Sequence, residues 1–231
     1  MHPVTRTSLT GWGRTNPSVA EVLQVLPAEV PAALKEAGER GALVRGLGRS
    51  YGDAAQNGGG TVLRLLGSAT DAVLDRAAAT ITVSAGANLD ELLRVIVPRG
   101  FFVPVTPGTR FVTIGGAIAS DIHGKNHHVD GSFGNHLVRM SLQLASGDVV
   151  ELSRSSDPEL FWATIGGMGL TGAILDATIG LLPIESSRMA VDTRRIADLD
   201  SLFAAMDDGD DEYRYSVAWI DLAAKGRHLG R

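Results

Sequence analysis

The sequence predicts an α+β fold, and two observations carry that prediction. Apolar residues alternate through ATITVSAG (79–86), and the runs 137–145 and 149–152 are joined by Ser146-Gly147-Asp148, which is hairpin chemistry and hence antiparallel sheet. Between such segments stand helix starts with legible caps: Asn88 with Glu91 three residues on, and Asp157 followed by Pro158. At 231 residues, 44% hydrophobic and 20% charged, the chain can bury a sizeable core as one large domain or two small ones.

The elements follow in order. After a start punctuated by glycine and proline, Pro27 to Arg40 reads as a helix with Val30, Ala33, Leu34 and Ala37 on one face and Gly41 as its stop. Ala42 to Arg45 is a short strand running into a glycine-dense loop, and Thr61 to Leu65 is a strand leaving it. The helix capped by Asn88 extends to Val97, and Thr113 opens a short helix of small residues, IGGAIA, after the turn Pro107-Gly108-Thr109. Gly172 to Leu182 is a long apolar strand ended by Pro183. Charge then rises sharply in DTRRIADLDSLFAAMDDGDDEYRYS, so a boundary falls near residue 185. Beyond it a second region is expected to begin as strand, helix, strand.

Several function classes are disfavoured by composition. A net charge of −5 argues against a general nucleic-acid binder. No run of eighteen apolar residues is present, and the first residues lack the apolar stretch of a secretory signal. With no cysteine there is no disulfide, thiolate zinc site or cysteine nucleophile.

Three glycine-rich segments carry the chemistry. The first, RGLGRSYGDAAQNGGG (45–60), follows a strand as a dinucleotide loop does. Its third glycine falls one place late for G-x-G-x-x-G, however, and DAAQNGGG cannot be a helix, so the Rossmann reading fails. What is left is a wide loop whose backbone N–H groups can form a nest for a pyrophosphate, with Arg45 or Arg49 adding charge; the alternative is a flexible turn. The second, PVTPGTRFVTIGGAIASDIHGKNHH (104–128), places small side chains and a helix start where a flat ligand or another backbone can come close, or simply where a core packs tightly. The third, DPELFWATIGGMGLTGAILDATIGLLP (157–183), pairs core aromatics with another turn built for close approach. Three such turns in one domain point to one extended ligand touched by main chain, and the failed Rossmann spacing favours a flavin dinucleotide over a nicotinamide one.

His123, His127 and His128, with Asp121 and Asp130 nearby, invite a metal reading. Gly124 and Asn126 break the helix that would align His123 with His127, and no H-E-x-x-H pattern is present. No metal is assigned; a metallohydrolase stays open as an alternative. A histidine beside a redox cofactor can hydrogen-bond the cofactor or a substrate hydroxyl.

In their order, residues 45–52, 104–124 and 157–183 resemble the FAD-binding domain of the vanillyl-alcohol-oxidase (PCMH-type) flavoprotein family, over roughly residues 8 to 185. The resemblance implies two α+β subdomains holding FAD, followed from 186 to 231 by the beginning of a substrate-binding (cap) domain. It places Arg45, Gly46, Leu47, Gly48, Arg49, Ser50 and Tyr51, with Pro107, Gly108, Thr109, Thr113, Gly115 and Gly116, along the pyrophosphate and ribityl chain. Ile122 and His123 fall toward the isoalloxazine, Ser120, Gly124 and Asn126 are further cofactor contacts, and Gly172 and Ile174 fall toward the adenine end or ribose. His123 and Tyr51 are the catalytic candidates. Some family members attach flavin through a histidine in the first loop; Gly48-Arg49-Ser50-Tyr51 contains none, so the FAD is expected to be non-covalent.

The stretches LTGWGRT, DIHGKNHH, GSFGNH and YRYSVAWIDL are similar to those members of the family that act on a polyprenyl-phosphate-linked ribose. That similarity implies oxidation of the C2 hydroxyl to a 2-keto sugar, with a separate NADH-dependent reductase completing epimerisation to arabinose for cell-wall arabinan. It also implies a cytoplasmic or membrane-peripheral protein, the periplasmic face included. The alternatives are an FAD-dependent sugar or alcohol oxidase of other specificity, and a flavin module that only binds. Family members continue well beyond residue 231, so the chain is expected to be a truncated product whose substrate pocket and catalytic base lie largely elsewhere.

Overall fold

The computed structural model describes residues 4–221 and 223. In chain order it runs β1 (Thr5–Leu9), β2 (Ser18–Val25), α1 (Val30–Glu36), β3 (Ala42–Arg45), β4 (Thr61–Leu65), β5 (Val73–Asp75), β6 (Thr80–Ser84), α2 (Leu89–Ile96) and β7 (Phe101–Phe102). There follow α3 (Ile114–Ala119), α4 (His127–Asp130), β8 (Leu137–Gln143), β9 (Val149–Ser153), α5 (Pro158–Thr164), β10 (Ala173–Gly180), β11 (Leu182–Pro183) and α6 (Leu199–Gly209).

Two subdomains result, as the α+β reading requires. In the first, a four-stranded sheet of order β1-β2-β4-β3 packs on α1 through Leu23, Val25, Val30, Ala33 and Leu63. In the second, a five-stranded antiparallel sheet of order β5-β6-β10-β8-β9 is covered by α2, α3 and α5. Leu89, Leu92 and Ile96 recur at helical spacing along α2 and are wholly buried, each such side chain worth roughly 1.5–3 kcal/mol of transfer free energy.

The first subdomain contains an arrangement that decides the site. Strands β3 and β4 are parallel neighbours, Ala42 opposite Thr61 and Arg45 opposite Arg64. A chain making such a pair must travel back the length of the strands, which a crossover helix usually does. Here residues 46–60 make the return without a helix, so no helical ladder uses their backbone donors.

Several expectations need correction. The helix expected over 27–40 is a 3-10 turn at Pro27–Glu29 followed by α1, which ends at Glu36; Ala37 is already extended. Gly38 costs about 1 kcal/mol inside a helix relative to alanine, so the chain turns there, with Gly41 N–H donating to the Gly38 carbonyl. The strand expected over 172–182 is interrupted at Leu181, whose N–H bonds the Ala79 carbonyl in continuation of the β10–β6 register, before β11 pairs with β7. Beyond residue 185 the described residues contain α6 and no strand, against the expected strand–helix–strand; α6 is capped by Asp198, which accepts the Ser201 N–H at 2.8 Å. The end of that expected region, residues 222 and 224–231, lies outside the described residues.

Candidate functional site: a dinucleotide cleft between the subdomains

A cleft of about 700 Å³ lies between the two sheets. One wall is the crossover loop, Val44 to Gly52 with Ala54 and Ala55, and Leu65 at the end of β4. The other wall is built by Ala85-Gly86 after β6, Pro107-Gly108-Thr109, the α3 segment from Val112 to Ile122, and the chain from Met168 to Ile174.

The loop offers donors. Among the described residues, the backbone N–H groups of Gly46, Leu47, Gly48, Arg49, Ser50 and Tyr51 have no protein acceptor. Where such amides converge on a cleft they can hold an anion. The other source expected for phosphate, the start of α3, is already committed: Ile114 N–H donates to the Ala87 carbonyl, Gly115 N–H to the Ala85 carbonyl, and Gly116 N–H to Thr113 Oγ1. The amides left over at the cleft are therefore those of the loop, and α3 supplies closeness instead. A Cβ on Gly46 would lie 2.4 Å from Thr113 Oγ1, so only glycine lets the loop seat against the helix cap.

Arg45 and Arg49 divide the cationic work. Arg45 Nη1 donates to the Ala55 carbonyl and Nη2 to the Thr10 carbonyl, each at 2.6 Å. Burial, with Arg64 as a second nearby cation, pulls the Arg45 guanidinium below its ordinary pKa. Arg49 is exposed and, among the described residues, touches only the Leu47 carbonyl, at 3.3 Å, so its charge is available to an anion.

At the rim, Tyr51 stands edge-on to Trp12, ring centres 5.4 Å apart at 81°. Trp12 was not foreseen at the site. Its backbone N–H donates to the Ser50 carbonyl at 2.7 Å and Gly13 N–H to the Tyr51 carbonyl, so the turn within LTGWGRT is tied to the loop by main chain. Ala85-Gly86 and Met168 were also missed; the one sequence signal for them was a small-residue pair at a strand end and a methionine set among glycines.

Of the residues expected around a cofactor, those at 45–51, 107–109, 113, 115, 116, 120, 122, 172 and 174 line the cleft. His123, Gly124 and Asn126 do not. Asp121 adopts a left-handed conformation (φ 39°) that turns the chain after α3, Ile122 faces the cleft, and His123 then bridges to Ser132 on the outside, exposed. Asn126 is buried, its Nδ2 donating to the Pro104 carbonyl at 2.7 Å and to Asp130 Oδ2 at 2.6 Å. Gly124 packs on the Thr106 carbonyl.

The histidine segment is instead the seat of the chain that follows α6. Arg214 forks onto Asp130 at 2.8 and 2.6 Å, His128 Nε2 lies 3.0 Å from the Tyr213 carbonyl, and Ser216 N–H donates to the Lys125 carbonyl. The Arg214 guanidinium holds the Asp130 carboxyl below the usual carboxylate range, and Asp130 in turn raises Arg214. Among the described residues no group of three His, Asp or Glu side chains is placed to hold a metal ion.

A loop of unspent amides and a cleft of small residues between two α+β subdomains are what a domain that binds a dinucleotide would need. Comparison with known proteins gives the family: residues 25–153 match the FAD binding domain, and the chain belongs to that family, with FAD as its cofactor. It is 48% identical over 99% of its length to decaprenylphosphoryl-beta-D-ribose oxidase of Mycolicibacterium smegmatis, covering 51% of that protein. An uncharacterised protein of Streptomyces coelicolor is 44% identical over 62% of the chain and 39% of its own length. An uncharacterised oxidoreductase of Rhodococcoides fascians is 30% identical over 69% of the chain and 36% of its own length. The chain thus spans about half, or less, of the curated relatives it matches.

The cleft fits such a cofactor on its own terms. Its unspent loop amides suit a diphosphate, and the glycines that seat the loop against α3 leave room for main chain to lie against a flat ring system.

Proposed function

We propose that the chain is the FAD-binding part of an oxidase that acts on the ribose C2 hydroxyl of a polyprenyl-phosphate-linked sugar. The product is the 2-keto sugar, for reduction by an NADH-dependent partner to the arabinose epimer used in cell-wall arabinan. The observation that carries the reading is the junction of loop 46–51 with the α3 segment and residues 168–174 around one cleft, in a chain 48% identical to an oxidase of that name.

Bound FAD supplies the acceptor for a hydride from a carbon that bears a hydroxyl. The protein's part is to hold and orient. Loop residues 46–51 carry the diphosphate on their amides, with Arg49 as the mobile counter-charge. Thr113, Gly115 and Gly116 border the ribityl chain, Ser120 and Ile122 the ring system, and Gly172 and Ile174 the adenosine side. No histidine stands in the loop, so the flavin is held without a covalent bond. Tyr51 and His123 are assigned to the substrate side, His123 as a hydrogen-bond partner for a substrate hydroxyl. Residues 8–185 form the flavin domain and 186 onward the start of a substrate domain. No helix of the described residues is long and apolar enough to cross a membrane, and a lipid-linked substrate brings the protein to a membrane surface from outside the bilayer.

The test is anaerobic mixing of the FAD-loaded protein with a polyprenyl-phosphate-linked ribose. Bleaching of the flavin band near ~450 nm with the ribose compound, and not with free ribose, supports the assignment. Bleaching by unrelated sugar alcohols instead assigns another substrate class.

A further inference from the structure

Arg45 does more in this structure than a cation at the edge of an anion site. Its guanidinium is a two-armed staple: one arm holds the Ala55 carbonyl at the far side of the crossover loop, the other the Thr10 carbonyl in the β1–β2 connection. Both acceptors are neutral, and no carboxylate is paired with it among the described residues. Gly48, with φ +66°, lies directly against it: a Cβ there would stand 2.3 Å from Arg45 Nη2 and 3.0 Å from Cζ. The loop that carries the unspent amides is therefore wrapped around a fixed positive charge, with Gly48 seated against the Nη2 end of the guanidinium.

We infer that Arg45 is a positioning residue for the diphosphate cradle, fixing the curvature of residues 46–51 through its two carbonyl contacts and the Gly48 seat rather than by touching the phosphates. Two physical arguments support this. A guanidinium spends its donors in a planar fork, so the two arms set direction as well as distance, which a lysine ammonium cannot reproduce. A guanidinium pinned by two short hydrogen bonds, one on each Nη, is held in place and acts on a nearby diphosphate through its field, in a partly buried setting where screening is weak. The inference rests on the flavin dinucleotide occupying the cleft, and does not depend on which sugar is oxidised.

The experiment is equilibrium binding of FAD and of ADP, which carries the diphosphate without the flavin, to the full chain and to Arg45→Lys, Gly48→Ala and the double variant, each with a thermal melt of the ligand-free protein. Arg45→Lys is expected to weaken FAD and ADP together by roughly tenfold or more, although the charge is kept. Gly48→Ala is expected to do the same, because the new methyl displaces the guanidinium. In the Arg45→Lys background the Gly48→Ala loss should shrink, since the group it displaces is gone. Full affinity in Arg45→Lys, or strictly additive losses in the double variant, would overturn the inference. So would a loss of FAD affinity with ADP affinity unchanged. If a variant melts below the binding temperature, the same comparison made on the remaining single variant decides. A parent chain that binds neither FAD nor ADP overturns the cleft's occupancy, and this inference with it.

Discussion

Gly46 and Thr113 meet at the seam between the two subdomains, so closely that a methyl on Gly46 would sit 2.4 Å from the threonine hydroxyl oxygen. That oxygen is not free to move away, because it accepts the Gly116 N–H and so caps α3. Gly46→Ala therefore forces a choice between displacing the loop and losing the cap. FAD affinity is expected to fall by tenfold or more, while the melting temperature drops by the few degrees that loss of a cap of about 1 kcal/mol brings. Thr113→Ala added to Gly46→Ala removes the clash and should recover part of the FAD affinity, though not the cap. Flavin fluorescence titration of the three variants checks this.

Arg49 is exposed, and among the described residues its charge meets nothing but a long contact with the Leu47 carbonyl. Arg49→Gln is expected to weaken FAD binding severalfold at low ionic strength and much less at high salt, with an unchanged melting temperature. A salt-independent loss would show that Arg49 acts through loop geometry instead.

The Asp130–Arg214 pair carries a pH dependence. The Asp130 carboxyl is depressed in the folded protein, first by its hydrogen bond from Arg214. Its contribution is therefore fully present above the unfolded carboxylate pKa of about 4, and is lost as pH falls through the lower folded value. The chain at 213–216 should stay docked at neutral pH and release in acid. Protection of the Ser216 amide, which donates to the Lys125 carbonyl at 3.0 Å, reports the release by hydrogen exchange after correction for intrinsic rates. Asp130→Asn should show the low protection already at neutral pH.

His123 stands outside the cleft lining and exposed, one residue after Ile122. His123→Phe is expected to leave FAD affinity within about twofold and to lower the rate of flavin reduction by substrate by roughly 10²-fold, the usual scale for a lost proton-handling contact. Loss of FAD affinity instead would place the ring against the cofactor.

The parts legible in the sequence are those with strong local chemistry. Strands 42–45 and 61–65 are bounded by glycines, the Asn88 and Asp157 caps hold the N–H three residues on, and the hairpin at 146–148 has its turn residues. Strands β1 and β5 lie at sheet edges with mostly exposed side chains, so no apolar alternation announces them. The cleft was legible as glycine loops in series, but its rim was not. Trp12 reaches it through main-chain bonds to Ser50 and Tyr51, which leave no pattern in the sequence around either segment. Gly124 and Asn126 lie away from the cleft for the opposite reason: they are near Ile122 in sequence, but at His123 the chain bridges to Ser132 and runs on to the Arg214 docking site.

The most direct measurement is the visible spectrum of the purified chain after incubation with FAD and removal of excess, repeated on the supernatant after acid precipitation. The account predicts bands near ~375 and ~450 nm that remain with the protein and pass wholly into the supernatant, as for oxidised flavin held without a covalent bond. A colourless protein would contradict the dinucleotide cleft, and colour that stays in the pellet would contradict the non-covalent cradle.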